Sequence, residues 1–297
     1  MVQPTSDGHR DTAAERLTPS GDPLLAARFQ VPAPPDTFVR RARLVERLSL
    51  GGHTPLTLVN GPAGAGKTLL VADWIALEGA PMRVAWLTVE AEDNRPGVFW
   101  TYVLEAMRRQ GLGPPDAVGS PARPGEVDHS LLARLAAHLS EQPEPVVLVL
   151  DEFDRVVGST EIADELEFVL RHVGDGLRLI VISRTEPQLP LHRYRAAGQV
   201  TDIRGADLAF RPEETAELLS RHGMRLSERG VEALTERTGG WAAGVRLCIL
   251  AAQRAADPDI FLKDFEAGRS TLADFLLAEV LGTQSEETQD LMLRCSI

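Results

Sequence analysis

Residues 61–68 read Gly-Pro-Ala-Gly-Ala-Gly-Lys-Thr, a full match to the pattern G-x-x-x-x-G-K-[ST]. Each residue type there suits a polyphosphate. Gly61, Gly64 and Gly66 let backbone N–H groups converge on phosphate oxygens, where a side chain would block the approach. Pro62, Ala63 and Ala65 complete the loop between them. Lys67 is expected to reach the β- and γ-phosphates, and the Thr68 hydroxyl to ligate Mg²⁺. A helix opening near Lys67 would aim the positive end of its dipole at the same oxygens. The chemistry implied is binding of a nucleoside triphosphate, ATP first, together with Mg²⁺.

Two further groups could complete such a site. The run Val-Val-Leu-Val-Leu at 146–150 is followed by Asp151 and Glu152. A carboxylate at the C-terminal end of a buried strand can hold the Mg²⁺ shell, which is the expectation for Asp151. Glu152 then stands where a general base could polarise a water for attack on the γ-phosphate. Asp154 reads as a cap or turn residue. The second group is Ser183-Arg184 at the end of the apolar run 177–183. Arg184 either reads the γ-phosphate through charge-assisted hydrogen bonds or is a surface arginine after a strand, and the residues alone leave both open. Trp241, after Gly239-Gly240, reads as a core anchor or as a border of the base, with the core favoured. The seven histidines show no metal-ligand spacing.

These residues need elements to place them. Residues 56–60, 83–89, 146–150, 177–183 and 200–204 read as short, largely apolar strands. Helical patterns lie between them at 67–77, 96–110 (with Pro96 in the first turn), 130–140 and 161–172, and one precedes them at 41–50. The Gly- and Pro-rich stretch 111–128 reads as a loop. Alternation of strands and helices predicts an α/β fold, a doubly wound parallel sheet with helices on both faces. After Phe210 the strands stop, and helices are expected at 212–221, 227–237, 241–255, 272–281 and 286–294. Residues 1–27 are polar and aperiodic, a disordered or loosely attached lead-in.

Composition narrows the function classes. The 297 residues carry 31 Lys and Arg against 43 Asp and Glu, a net charge of −12, which opposes non-specific nucleic-acid binding. Arg40, Arg41, Arg43 and Arg47 form a local basic cluster, read as a solvated helix face. No apolar run is long enough to span a membrane. The N-terminus lacks a signal-peptide layout, and Cys248 and Cys295 sit in apolar helical segments as core thiols, so a cytoplasmic protein is expected.

With these stretches assembled, the chain resembles the nucleotide-binding module of the large LuxR-type, MalT-like ATP-binding transcriptional regulators, within the STAND class of signalling P-loop NTPases. The resemblance rests on the entry segment 39–44 (VRRARL), the phosphate loop, VEAEDNRPGVFW at 89–100, the strand ending in Asp151, VISRTEPQLPLHRYRAAGQ at 181–199, LAFRPEE at 208–214 and GGWAAGVRL at 239–247. Two departures stand out: Leu69 replaces a threonine common after the lysine, and Glu90 stands where the family has Asp. The resemblance implies an ASCE/AAA-like P-loop sheet followed by a small all-α lid. It implies that Val39 and Arg41 line the nucleotide from the N-terminal side, Leu69 from the loop and Trp241 from the helical side. It also implies an ATP/ADP switch with slow hydrolysis, ATP-dependent self-association, and an inducer and DNA bound through later sensor and helix-turn-helix parts. The expected division is a lead-in at 1–27, a P-loop domain at 28–208, a helical lid at 209–284 and the start of a winged helix, cut short, at 285–297. Competing readings are a P-loop kinase or AAA+ motor, and a degenerate scaffold without catalysis.

Overall fold

The computed structural model describes residues 17–51, 53–78, 83–112, 129–156 and 158–254. The helices expected at 272–281 and 286–294, Cys295, the winged-helix start and most of the 111–128 loop lie outside the described residues.

Five strands, β1 (Leu56–Asn60), β2 (Val84–Thr88), β3 (Val146–Asp151), β4 (Leu177–Ser183) and β5 (Val200–Ile203), form one sheet in the order β2-β3-β4-β1-β5. Every neighbouring pair is parallel. β3 is buried along its whole length, as its unbroken apolar run requires of a central strand. Side chains alternate across the pleat. Leu148 and Leu150 of β3 join Leu179 and Val181 of β4 in one core layer, while Val147, Val149, Ile180 and Ile182 fill the other. α1 (Ala42–Gly51) and α2 (Lys67–Glu78) cover the second layer through Leu44, Leu48, Leu70 and Trp74. α3 (Val98–Arg109), α4 (His129–Ser140) and α5 (Thr160–His172) cover the first.

β4 lies between the strand that feeds the phosphate loop and the strand that ends in Asp151. This order brings the C-terminal tips of β1, β4 and β3 side by side, although they are far apart in sequence. Three local expectations change. Pro96 precedes α3 rather than sitting in its first turn, because a 3₁₀ turn at Ala91–Asn94 and the left-handed Gly97 come first. Two short helices, α6 (Leu191–Ala196) and α7 (Gly205–Leu208), stand where no helix was read. Both are too short for a periodic signal.

After Phe210 come α8 (Pro212–Arg221), α9 (Glu228–Thr238) and α10 (Ala242–Arg254). Their apolar faces meet in a separate core of Phe210, Leu218, Leu219, Leu234, Val245 and Ile249 that also takes in Val39. Cys248 is buried there, and its burial pushes the thiol up to about 12, so it stays protonated.

From Leu17 the N-terminal segment is tied down, where a loose lead-in was expected through residue 27. Leu17 bridges Pro23, and a 3₁₀ turn follows at Ala26–Phe29. Arg28 is buried in an ion pair with the fully buried Asp93, donates from Nε to the Thr88 carbonyl at 2.9 Å and lies 3.7 Å from the Tyr102 ring centroid.

Candidate nucleotide site

The phosphate loop leaves β1 and enters α2 through two left-handed glycines, Gly64 (φ +70°) and Gly66 (φ +76°). A side chain at either would be strained. A Cβ at Gly64 would lie 2.5 Å from the Ala243 Cβ, and one at Gly66 would lie 2.9 Å from an Arg41 guanidinium nitrogen.

Lys67 is buried and turned onto its own loop, where Nζ donates to the carbonyls of Gly61 at 2.7 Å and Pro62 at 2.9 Å. Burial lowers its pKa. Asp154, Asp151 and Glu152 oppose that shift, and Arg184 adds to it. All four groups therefore lie within electrostatic reach of the phosphate lysine.

The Thr68 hydroxyl donates to Asp151 Oδ1 at 3.0 Å, joining the start of α2 to the tip of β3. Asp151 is only 4% exposed, and burial raises its pKa to about 6. Among the described residues no group of three or more His, Cys, Asp or Glu could hold a metal ion. Mg²⁺ does not need one. It takes one or two protein oxygens and completes its shell with water and phosphate. A hydroxyl and a carboxylate converging beside the phosphate loop fit it, and bound Mg²⁺ would neutralise charge on the β- and γ-phosphates.

Glu152 is the one described residue other than glycine with positive φ, at +55°. Its carboxylate is half-exposed and pairs with Arg155 at 3.1 Å. Arg184 is half-exposed at the tip of β4, with Nε 3.6 Å from Asp154 Oδ2. Sheet order thus brings Lys67, Thr68, Asp151, Glu152 and Arg184 to one end of the strands.

Arg41 is 1% exposed, and its partners are backbone carbonyls. It donates to the carbonyls of Ala65 (3.0 Å), Gly66 (2.6 Å) and Leu208 (3.0 Å), which clamps the loop to α7. Burial pushes this guanidinium down to about 10. The neighbouring arginines are paired too. Arg40 binds Asp73, Arg43 binds Glu214 and the Asp207 carbonyl, and Arg47 binds Asp207. Of the basic cluster expected to be a solvated face, Arg40 and Arg47 remain exposed while pairing with acids, whereas Arg41 is buried and Arg43 partly so.

Val39, Arg41, Gly64, Gly66 and Leu69 line a cavity of about 250 Å³, closed on the helical side by Phe210, Ala242 and Arg246. Its mainly apolar wall beside the loop suits a nucleotide base. Trp241 is neither a full core residue nor part of that wall. Its Nε1 donates to the Ala63 carbonyl at 2.8 Å, and the Ala243 N–H donates to the Gly64 carbonyl at 3.1 Å. α10 therefore grips the tip of the phosphate loop.

Sequence reasoning missed Arg28 and the bridging position of Asp154. A buried arginine in a polar lead-in has no local signature. Asp154 looks like any turn acid until β4 is placed beside β3.

Residues 38–182 match the family model described as the AAA ATPase domain. Across 295 residues the chain is 31% identical to the serine/threonine-protein kinase PknK of Mycobacterium tuberculosis, covering 97% of this chain and 26% of that one. It is 30% identical over 281 residues to the HTH-type transcriptional regulator MalT of Serratia proteamaculans, covering 92% of this chain and 30% of that one. A STAND protein with a tetratricopeptide repeat sensor from Pyrococcus horikoshii shares the fold, with a TM-score of 0.54 and 17% identity over 90% of this chain and 36% of that one. The chain thus spans 26% and 30% of the length of these two curated relatives. Fold and phosphate loop are those of a P-loop NTPase, and the AAA ATPase model matches the segment that carries them. Over most of its length the chain is similar to one segment of a MalT regulator and of PknK, and it shares its fold with a STAND protein.

Proposed function

We propose that this module is a nucleotide-operated switch that binds ATP or ADP with Mg²⁺, hydrolyses ATP slowly and signals by which nucleotide it holds. The observation that carries this reading is the grip of α10 on the loop, where Trp241 and Ala243 bond the carbonyls of Ala63 and Gly64. A phosphate entering the loop must act on the same backbone that the helical unit holds. Occupancy can therefore be converted into a change in how the two units dock.

In this reading Lys67 holds the β- and γ-phosphates, Thr68 and Asp151 hold Mg²⁺, and Arg184 reads the γ-phosphate. Val39, Arg41 and Leu69 border the nucleotide on the N-terminal and loop side, and Trp241 couples loop and lid. Glu152 orients water when freed from Arg155. Its pairing with Arg155 and its strained backbone support slow turnover. The domain division at 28–208, 209–284 and 285–297 belongs to the same proposal, as do ATP-dependent self-association and a cytoplasmic setting. The names of the relatives support a shared switch: the matched segment occurs in a protein kinase and in a transcriptional regulator, whose outputs differ. Among the described residues no helix is long and apolar enough to cross a membrane.

The test is the identity of any nucleotide released on denaturing the purified chain, read by mass spectrometry, followed by single-turnover measurement with ATP. A retained nucleotide and turnover well below the roughly 1–100 s⁻¹ of kinases are expected. Rapid unaided turnover would sink the switch reading.

A further inference from the structure

The turn after β3 and the residue after β4 are joined by one side chain, Asp154. Asp154 Oδ1 accepts the Arg184 backbone N–H at 3.0 Å, and its Oδ2 lies 3.6 Å from Arg184 Nε. The two contacts differ in kind. The first fixes the backbone at the tip of β4, where Thr185 N–H also donates to the buried Ser183 Oγ at 3.3 Å. The second holds a guanidinium whose side chain is 49% exposed, while the Asp154 side chain is 15% exposed. The carboxylate is therefore fixed and the guanidinium is free to leave it.

Arg184 and Asp154 follow β4 and β3 at the strand ends that flank the phosphate loop, and their charges act on Lys67 with opposite sign. Lys67 itself donates to the loop carbonyls of Gly61 and Pro62.

We propose that Asp154 is a specificity-determining residue, the counter-ion that parks the Arg184 guanidinium until a γ-phosphate replaces it. The inference rests on Arg184 as the γ-phosphate reader. With a diphosphate bound, Arg184 stays on Asp154. With a triphosphate bound, one anion is exchanged for another, so the preference for triphosphate is set by the difference between the two partners. A half-exposed pair of this kind is weak enough to be broken without a large loss.

The experiment measures the affinities of the intact chain for ADP and for a non-hydrolysable ATP analogue by calorimetry, in four proteins: the unaltered chain, Asp154→Asn, Arg184→Ala and the double variant. Asn keeps an oxygen to accept the Arg184 N–H, so the tip of β4 stays tied while the counter-charge is gone. Asp154→Asn is expected to raise the preference for triphosphate about two- to five-fold, the range of an exposed ion pair. Arg184→Ala is expected to lower it, and Asp154→Asn is expected to add nothing in the Arg184→Ala background. An unchanged preference in Asp154→Asn overturns the proposal. So does a rise that persists without Arg184, since Asp154 would then act on the phosphate directly. If Arg184→Ala alone leaves the preference unchanged, Arg184 is not the reader, and the inference falls with that reading.

Discussion

Lys67 shows how one side chain serves two partners. Here its ammonium is held by the Gly61 and Pro62 carbonyls, groups that belong to the loop itself. Phosphate oxygens would offer the same ammonium stronger, charge-assisted bonds. Replacing Lys67 with Ala is expected to weaken ADP and ATP binding roughly 10- to 100-fold, the value of one or two bonds to a charged group. Calorimetry checks it, and unchanged affinity would favour the degenerate-scaffold reading. Gly66 makes a second point at this scale. A methyl group there would meet Arg41 at 2.9 Å on a backbone with φ of +76°. Gly66→Ala should cost about 1–3 kcal/mol of stability, seen as a lower thermal midpoint.

At the scale of elements, α1 and α5 show polar groups serving as joints. On α1 and just before it, four arginines became ties to α2, α7 and α8, because acids and carbonyls from distant sequence face them. Arg41→Ala would leave buried carbonyls of the loop without a donor and is expected to destabilise the chain by about 2–4 kcal/mol in thermal unfolding. On α5, buried Glu165 accepts from Trp100 Nε1 of α3 at 2.6 Å. Burial raises its pKa to about 7, helped by the acids Glu161 and Asp164 and opposed by the indole bond. A carboxyl raised in the folded state favours folding while it is protonated. Its contribution is thus fully present below the unfolded pKa of about 4.3 and is lost as pH rises through about 7. Stability measured in denaturant should fall across that window, and Glu165→Gln should flatten the fall. A Glu165→Gln profile identical to that of the unaltered chain would contradict this assignment.

At the scale of the molecule, two units meet at one loop. The α/β unit supplies the phosphate cradle, and the helical unit supplies a wall of the adjoining cavity and two donors to the tip of the cradle. Trp241→Phe keeps an aromatic ring but removes the indole donor and part of the bicyclic side chain. Loss of a single neutral hydrogen bond is expected to cost about 0.5–1.5 kcal/mol. If Trp241 couples loop to lid, nucleotide should also leave several-fold faster, read by stopped-flow with a fluorescent nucleotide. A stability loss with no change in release would limit Trp241 to packing.

The phosphate loop and the strands are legible in the local sequence. Residues 61–68 carry their chemistry in local spacing, and apolar runs such as 146–150 and 177–183 fix their own periodicity, so both are readable without a partner. Short helices α6 and α7 escaped that reading because four to six residues hold no repeat. What only the tertiary structure decided is which distant groups face one another. Placing β4 between β1 and β3 set Arg184 against Asp154 at the strand ends that flank the phosphate loop. Docking α10 turned Trp241 from a core or base candidate into a donor to the loop. Arg41 became a clamp on carbonyls, and Arg28 the partner of Asp93. The physical reason is the same in each case. A charged or hydrogen-bonding side chain carries little meaning until its partner is within about 3–4 Å, and sequence spacing does not encode that distance across 30 or more residues.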